Sequence, residues 1–360
     1  MMAARRSSIS LGFLCLLLGL SAFAGPAADD PPGRRASTAV SGPALGYGFD
    51  ENLGALRPIL GIPGASVLGG KLDVGVGFSV AEVSPRQDYA LGIASGSKEL
   101  LIVDLAAGRA VARSLSGVAP GADRVFLSST GAAASLYYRN RRSAAIITGL
   151  PGAPQLSGDF DLSALPPLIT AMAVSDDGRL LLAGVSEGAA AALFALRPGN
   201  SPRYVAAAGN VTSICFLENA HDALIADSRD HEILLLREVG EAWERVLLAG
   251  PKDGISSPVA VSASSDGRRV FAVNAGSGVI AALSLAGGAV ALIPCRCSPS
   301  GLHRLNGNAV FRLTAFSEAP LFVLDGEQPE PRVVFVPSEI VTAPVGSPRP
   351  RHLPRERSRE

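Results

Sequence analysis

Two segments of this 360-residue chain carry the same short pattern, Ser175-Asp176-Asp177-Gly178-Arg179 and Ser264-Ser265-Asp266-Gly267-Arg268. Each lies between two apolar runs. Asp-Gly in that setting marks a tight hairpin turn, because glycine accepts the positive φ that the turn demands. Asp177-Gly178 and Asp266-Gly267 are therefore read as structural turns between the first and second strands of a repeating unit. Equivalent turns fall at Ser84, Ser128, Leu217 and Asn306, so that successive units start 42 to 47 residues apart. That is the length of a four-stranded propeller blade. A helical solenoid of similar period is excluded by the runs between turns, which are short and alternate with period two, as in Tyr89-Ala90-Leu91-Gly92-Ile93.

One unit shows the whole plan. Phe78 to Val83 forms the innermost strand, Tyr89 to Ala94 the second, Glu99 to Asp104 the third and Arg109 to Ser114 the outermost. Gly108 closes the last hairpin at a position suited to a left-handed backbone. A later unit repeats the plan with Val259 to Ser262, Arg269 to Asn274, Val279 to Ser284 and Ala289 to Pro294.

Tyr89 to Arg109 and Val270 to Gly287 resemble YVTN-type propeller repeats. Phe271-Ala272-Val273-Asn274 is similar to that family's Tyr-Val-x-Asn strand, and Ile102-Val103-Asp104 to its third-strand signature. The resemblance implies an all-β propeller. It also implies two kinds of activity, since the family has a lactonase-like branch beside many surface and binding proteins.

Six repeats account for Gly77 to Pro337, and Leu45 to Phe49 with Leu56 to Ile62 add a strand pair. An unpaired ring edge exposes backbone donors and acceptors, so propellers commonly complete one blade from both termini. Seven blades are expected, the last assembled from residues near 45–66 and a strand after Ser338; six blades with a decorated N-terminus is the alternative. The propeller then spans 44–343. Residues 1–24 read as a secretion signal: Arg5 and Arg6 precede the apolar run Leu11 to Leu20, and Ser21-Ala22-Phe23-Ala24 offers a small-residue cleavage pattern. That run is too short to span a membrane. Residues 25–43 read as a disordered linker and 344–360 as a basic, Pro/Arg-rich tail.

Composition agrees. Gly 40, Pro 26 and an apolar fraction of 48% fit many short strands joined by tight turns. Basic and acidic residues balance at 32 each, and removal of the leader with Arg5 and Arg6 leaves a net charge of about −2. No basic field is present to attract nucleic acid. The chain reads as bacterial, extracytoplasmic and monomeric.

Candidate chemistry is sparse. Glu218, His221 and Asp222 in one turn and Asp227, Asp230, His231 and Glu232 in the next resemble a ligand list, but a strand separates the two turns, so no metal site is assigned. Cys295 and Cys297 project to one face and form the candidate disulfide in an oxidising compartment; chelation of a soft metal and pairing with Cys215 are the alternatives. No Gly-x-Ser-x-Gly elbow occurs, and the glycines near Gly64, Gly69 and Gly70 lack the Lys-Ser/Thr of a phosphate loop, so neither catalytic nor cofactor-binding residues are assigned. The loops entering the innermost strands, such as Val118-Ala119-Pro120-Gly121 and Leu165-Pro166-Pro167, hold almost no ionisable groups. The expectation is a non-catalytic scaffold for an unknown protein or small-molecule ligand, with a degenerate lactonase-like hydrolase and a structural element of an envelope assembly as alternatives.

Overall fold

The computed structural model describes residues 42–105, 110–188, 190–240, 242–316 and 320–337. Its strands form seven antiparallel blades in a ring, a seven-bladed β-propeller. Blade 1 has three strands among the described residues, β1 (Ala44–Asp50), β2 (Ala55–Ile62) and β3 (Ala65–Leu68). Each other blade has four. Blade 2 holds β4 (Phe78–Val83), β5 (Tyr89–Ala94), β6 (Leu100–Asp104) and β7 (Val111–Ser114). Blade 3 holds β8 (Arg124–Leu127), β9 (Ala133–Tyr138), β10 (Ser143–Thr148) and β11 (Gln155–Asp161). Blade 4 holds β12 (Leu168–Val174), β13 (Leu181–Glu187), β14 (Ala190–Leu196) and β15 (Arg203–Ala208). Blade 5 holds β16 (Val211–Phe216), β17 (Ala223–Asp227), β18 (Glu232–Arg237) and β19 (Glu244–Ala249). Blade 6 holds β20 (Pro258–Ala263), β21 (Arg269–Asn274), β22 (Val279–Ser284) and β23 (Ala291–Pro294). Blade 7 holds β24 (His303–Arg304), β25 (Val310–Arg312), β26 (Leu321–Asp325) and β27 (Arg332–Val336).

The position of a strand in its blade explains its sequence. The second and third strands are covered on both faces by neighbouring blades, so they read as continuous apolar runs: β5, YALGIA, and β9, AASLYY, are buried throughout. Outermost strands such as β7, VARS, face solvent and carry polar residues. The core is consequently a set of layers between blades. Leu91, Ile93 and Ile102 of blade 2 pack with Leu136, Ala145 and Ile147 of blade 3.

The Asp-Gly turns owe their shape to local hydrogen bonds. The Ser175 hydroxyl donates to the Asp177 carboxylate at 2.6 Å, which also accepts the Arg179 N–H at 3.0 Å, while Gly178 has φ 69°. Ser264, Asp266, Arg268 and Gly267 (φ 65°) repeat the arrangement at the β20–β21 turn. Gly108 lies outside the described residues, as do the leader 1–24, most of the linker, the tail and any strand after Ser338.

Blade 1 differs from the rest in direction. Its first strand begins beside the β24–β25 turn, where the Asn306 N–H donates to the Leu45 carbonyl at 2.9 Å. The turn that follows β1 meets the start of β4, with the Phe78 N–H on the Gly54 carbonyl at 2.8 Å. β1 therefore runs opposite to β4 and stands where every other blade has its second strand.

Candidate functional site

Six innermost strands, β4, β8, β12, β16, β20 and β24, wall a central channel of about 330 Å³. Its lining mixes apolar side chains such as Phe126, Met172 and Ile214 with Glu82, Ser262 and His303. Strand alternation puts these side chains in the channel, since every second residue of an inner strand points inward.

The end of the channel formed by the hairpin turns is crossed by hydrogen bonds between blades. The Ser129 hydroxyl of blade 3 reaches past blade 4 to the Phe216 carbonyl of blade 5 at 2.6 Å. The Arg304 guanidinium of blade 7 reaches past blade 6 to the Glu218 carboxylate at 2.7 Å and donates on the way to the Ala263 carbonyl. The Gln87 carboxamide donates to the Arg304 carbonyl at 2.7 Å and accepts the Tyr47 N–H at 2.6 Å. Asp176 links three blades, accepting the Thr130 N–H and hydroxyl at 2.9 and 2.6 Å and the Asn219 N–H at 2.8 Å.

On one side the channel joins a cavity of about 100 Å³ beneath β1, walled by Tyr47, Phe49, Glu51, Glu82, His303 and Arg312 among others. Burial pushes the Glu82 carboxyl up to about 7, against the pull of the nearby Arg312 charge. His303 is exposed on the side of the channel that it lines. The charge of Arg312, and then burial, push its imidazole down to about 3. Arg312 is itself buried, which lowers its guanidinium to about 10 while Glu82 and Glu51 oppose that fall. Its guanidinium donates to the Thr314 carbonyl and lies 4.8 Å from the Phe316 ring centre, while its Nε has no partner among the described residues.

A second, larger depression of about 790 Å³ lies outside the channel and is walled by Asp176, Asp177, Arg197, His221, Asp222 and Glu238 among others. Its acids are engaged locally: Asp177 pairs with His221 at 3.2 Å, Asp222 accepts the Glu238 N–H at 2.9 Å, and Asp176 is the blade link above.

The residues singled out in the sequence are dispersed. Asp177-Gly178 and Asp266-Gly267 sit on the turn end of the ring, 89 residues apart in sequence. The turns with Glu218–Asp222 and Asp227–Glu232 lie at opposite ends of β17. Asp227 caps four backbone N–H groups, those of Gly209, Asn210, Arg229 and Asp230. His231 Nδ1 accepts the Ser257 N–H at 2.8 Å. Cys295 and Cys297 are bonded through sulfur in the loop that enters β24, with Cα atoms 5.1 Å apart. Burial pushes the Cys215 thiol up.

Glu82, Arg304 and Arg312 carry no site signature in the sequence, because they lie within strands and not in the loops entering the inner strands. The ionisable groups come instead from within the strands and from the opposite turns. Glu82 in FSVAEV, a lone acid in an apolar inner strand, was the one visible signal.

The class this chain shares is thus the seven-bladed β-propeller. No protein-family model matches its sequence, and no curated protein matches it. Solved structures do. Catalytically inactive virginiamycin B lyase from Staphylococcus aureus, with quinupristin, is similar at TM-score 0.51 and 13% identity, over 73% of this chain and 85% of that one. A streptogramin B lyase is similar at 0.51 and 12%, over 79% and 87%. A functionally unknown protein from Desulfotomaculum acetoxidans DSM 771 gives 0.51 and 12%, over 82% and 100%. At these identities the likeness is one of fold.

Proposed function

We propose that this chain is an exported, non-catalytic propeller that binds a small ligand in its channel. The observation that carries the reading is the channel itself: crossed at the turn end by hydrogen bonds between blades, lined by apolar and polar groups together, and furnished at one side with Glu82 and His303. Small-molecule sites combine apolar lining with a few converging polar groups. The Arg304–Glu218 and Ser129–Phe216 bridges suit a preformed pocket.

A thermal-shift screen of a small-molecule library against the mature chain and against Ser262→Trp, which fills the channel, tests this. A ligand at about 100 times its Kd adds about 2.7 kcal/mol to stability, a rise of several degrees. The expected hits raise the melting temperature of the parent and leave Ser262→Trp unmoved. Hits that shift both chains alike place binding elsewhere and defeat the reading.

A second reading, a lactonase-like hydrolase, is favoured by Glu82 held near 7 beside His303, since a carboxyl at that value both gives and takes protons at neutral pH. A panel of lactones and esters tests it. Turnover abolished in both Glu82→Gln and His303→Gln would favour the enzyme over the binder.

A further inference from the structure

Arg312 is the one buried arginine among the described residues, 7% exposed, and four other blades fill its position with an apolar side chain. In blades 2, 4, 5 and 6 the carbonyls of Tyr89, Leu180, Asp222 and Arg269 close the first turn. Two residues on stand Leu91, Leu182, Leu224 and Phe271, all buried. Blade 3 has the small Ser135 there, whose hydroxyl reaches the Met172 sulfur. In blade 7 the closing carbonyl is that of Val310, so the same position falls on Arg312, with His303 opposite it on β24.

The guanidinium is poorly matched by what surrounds it. It makes one hydrogen bond among the described residues, to the Thr314 carbonyl, and lies on the Phe316 ring. Arg57 and Arg304, also largely buried, each meet a carboxylate, that of Asp50 at 3.2 Å and that of Glu218 at 2.7 Å. No described carboxylate comes within ion-pair distance of Arg312. A buried cation without a counter-ion is costly, so an anion that reaches it is bound well. There is room for one. The cavity of about 100 Å³ that Arg312 lines takes a carboxylate-sized group, since one water molecule occupies about 30 Å³. The cavity shares the walls Glu82, Val83, His303 and Arg304 with the channel that it adjoins.

Resting on the channel reading above, we infer that Arg312 anchors the carboxylate of a small ligand whose apolar body lies in the channel beside Phe126, Met172 and Ile214. A planar guanidinium suits this group, because it can grip both carboxylate oxygens. The other charges around the cavity permit it. Glu82 of β4, with its carboxyl raised to about 7, is mostly protonated at pH 6 and offers an O–H to the anion. His303 of β24, with its imidazole lowered to about 3, is neutral there. Arg304 is held by Glu218. Glu51, in the turn after β1, is exposed, so water and salt screen its charge. Tyr47 is the remaining titratable wall. Above pH 7 Glu82 ionises and repels the ligand.

Calorimetric titration of the chain at pH 6 with acetate, hexanoate, phenylacetate and inorganic phosphate, the carboxylates each beside the neutral amide, tests this. Hexanoate and phenylacetate are expected to bind at least about tenfold more tightly than their amides, and more tightly than acetate, which has no apolar body. Arg312→Met removes that preference without lowering the melting temperature, because an apolar chain replaces an unpaired buried charge. In the parent the preference falls about tenfold from pH 6 to pH 8, with the share of protonated Glu82, and Glu82→Gln levels it. If Arg312→Met does not fold, this pH series decides. Carboxylates that bind no better than their amides, a preference that survives Arg312→Met, or a parent that is flat from pH 6 to pH 8 overturns the inference. Phosphate that outbinds hexanoate overturns it in favour of a phosphate ligand. Neutral library hits that Ser262→Trp loses would then leave the channel reading standing. A preference that Arg312→Met abolishes and Ser262→Trp retains keeps the Arg312 anchor and defeats the channel reading instead.

Discussion

Gln87 has φ 61°, a conformation that the equivalent turns assign to glycine at Gly131, Gly178 and Gly267. A side chain there costs about 1 kcal/mol of backbone strain. What Gln87 does in return is hydrogen-bond Tyr47, Ser84 and Arg304, joining blades 1, 2 and 7. Gln87→Gly relieves the strain but strands those groups, so a net loss of about 1–3 kcal/mol is expected in urea unfolding; an unchanged midpoint refutes the bridging role. Glu82 and His303 make opposite contributions to pH dependence. With its carboxyl raised from 4.5 to about 7, Glu82 keeps in the folded state a proton that the unfolded chain releases, so its part of the stability falls as pH rises through that window. With its imidazole lowered from 6.5 to about 3, His303 refuses a proton that the unfolded chain takes up, so its part falls as pH drops through that window. The two oppose each other between 4.5 and 6.5. Single variants separate them: Glu82→Gln removes the loss on the alkaline side, worth at most about 3 kcal/mol, and His303→Gln removes the loss on the acid side. Urea melts from pH 4 to 8 read both, and parallel profiles for parent and variants exclude these shifts.

At the scale of elements, the repeat is written in its turns. Ser at the first position and Asp-Gly two residues on recur because a hydroxyl, a carboxylate and a positive φ together close the hairpin between first and second strands. The strands then follow from what covers them: β5 and β21 match the sequence reading residue for residue, while the third strand of blade 2 starts one residue later, at Leu100. Links between non-adjacent blades carry no local signature. Arg304 and Glu218 are 86 residues apart and meet only because blades 5 and 7 stand on either side of blade 6. With Arg304 11% exposed, Arg304→Met leaves the Glu218 carboxylate unpaired and costs about 1–3 kcal/mol, a discount from a fully buried pair since Glu218 is 28% exposed. Arg304→Met with Glu218→Gln recovers part of that loss. A double-mutant cycle with no coupling energy means that the pair is not part of the closure.

For the whole molecule, export, ligand and closure are separate questions. No helix among the described residues is long and apolar enough to cross a membrane. The large exposed apolar side chains, including Ile62, Val111, Tyr204, Leu247, Leu292 and Phe335, are spread over the outer strands of several blades. Scattered singly they do not make a docking patch. Sedimentation of the mature chain is accordingly expected to give a monomer at micromolar concentration, and a stable dimer contradicts that.

The sequence by itself determined the class of fold. Turn residues every 42 to 47 positions and period-two runs leave a ring of four-stranded units as the solution, since both signals are local and survive in a linear reading. Blade 1 was legible as a strand pair within a closing seventh blade, but the position of each strand in that blade was not. Only the tertiary structure shows that β1 holds the second position of its blade. The channel was illegible for the same reason. Glu82, Arg304, Glu218 and His303 lie on three blades and become one site through ring closure, which depends on contacts more than 200 residues apart and leaves no mark in any single repeat.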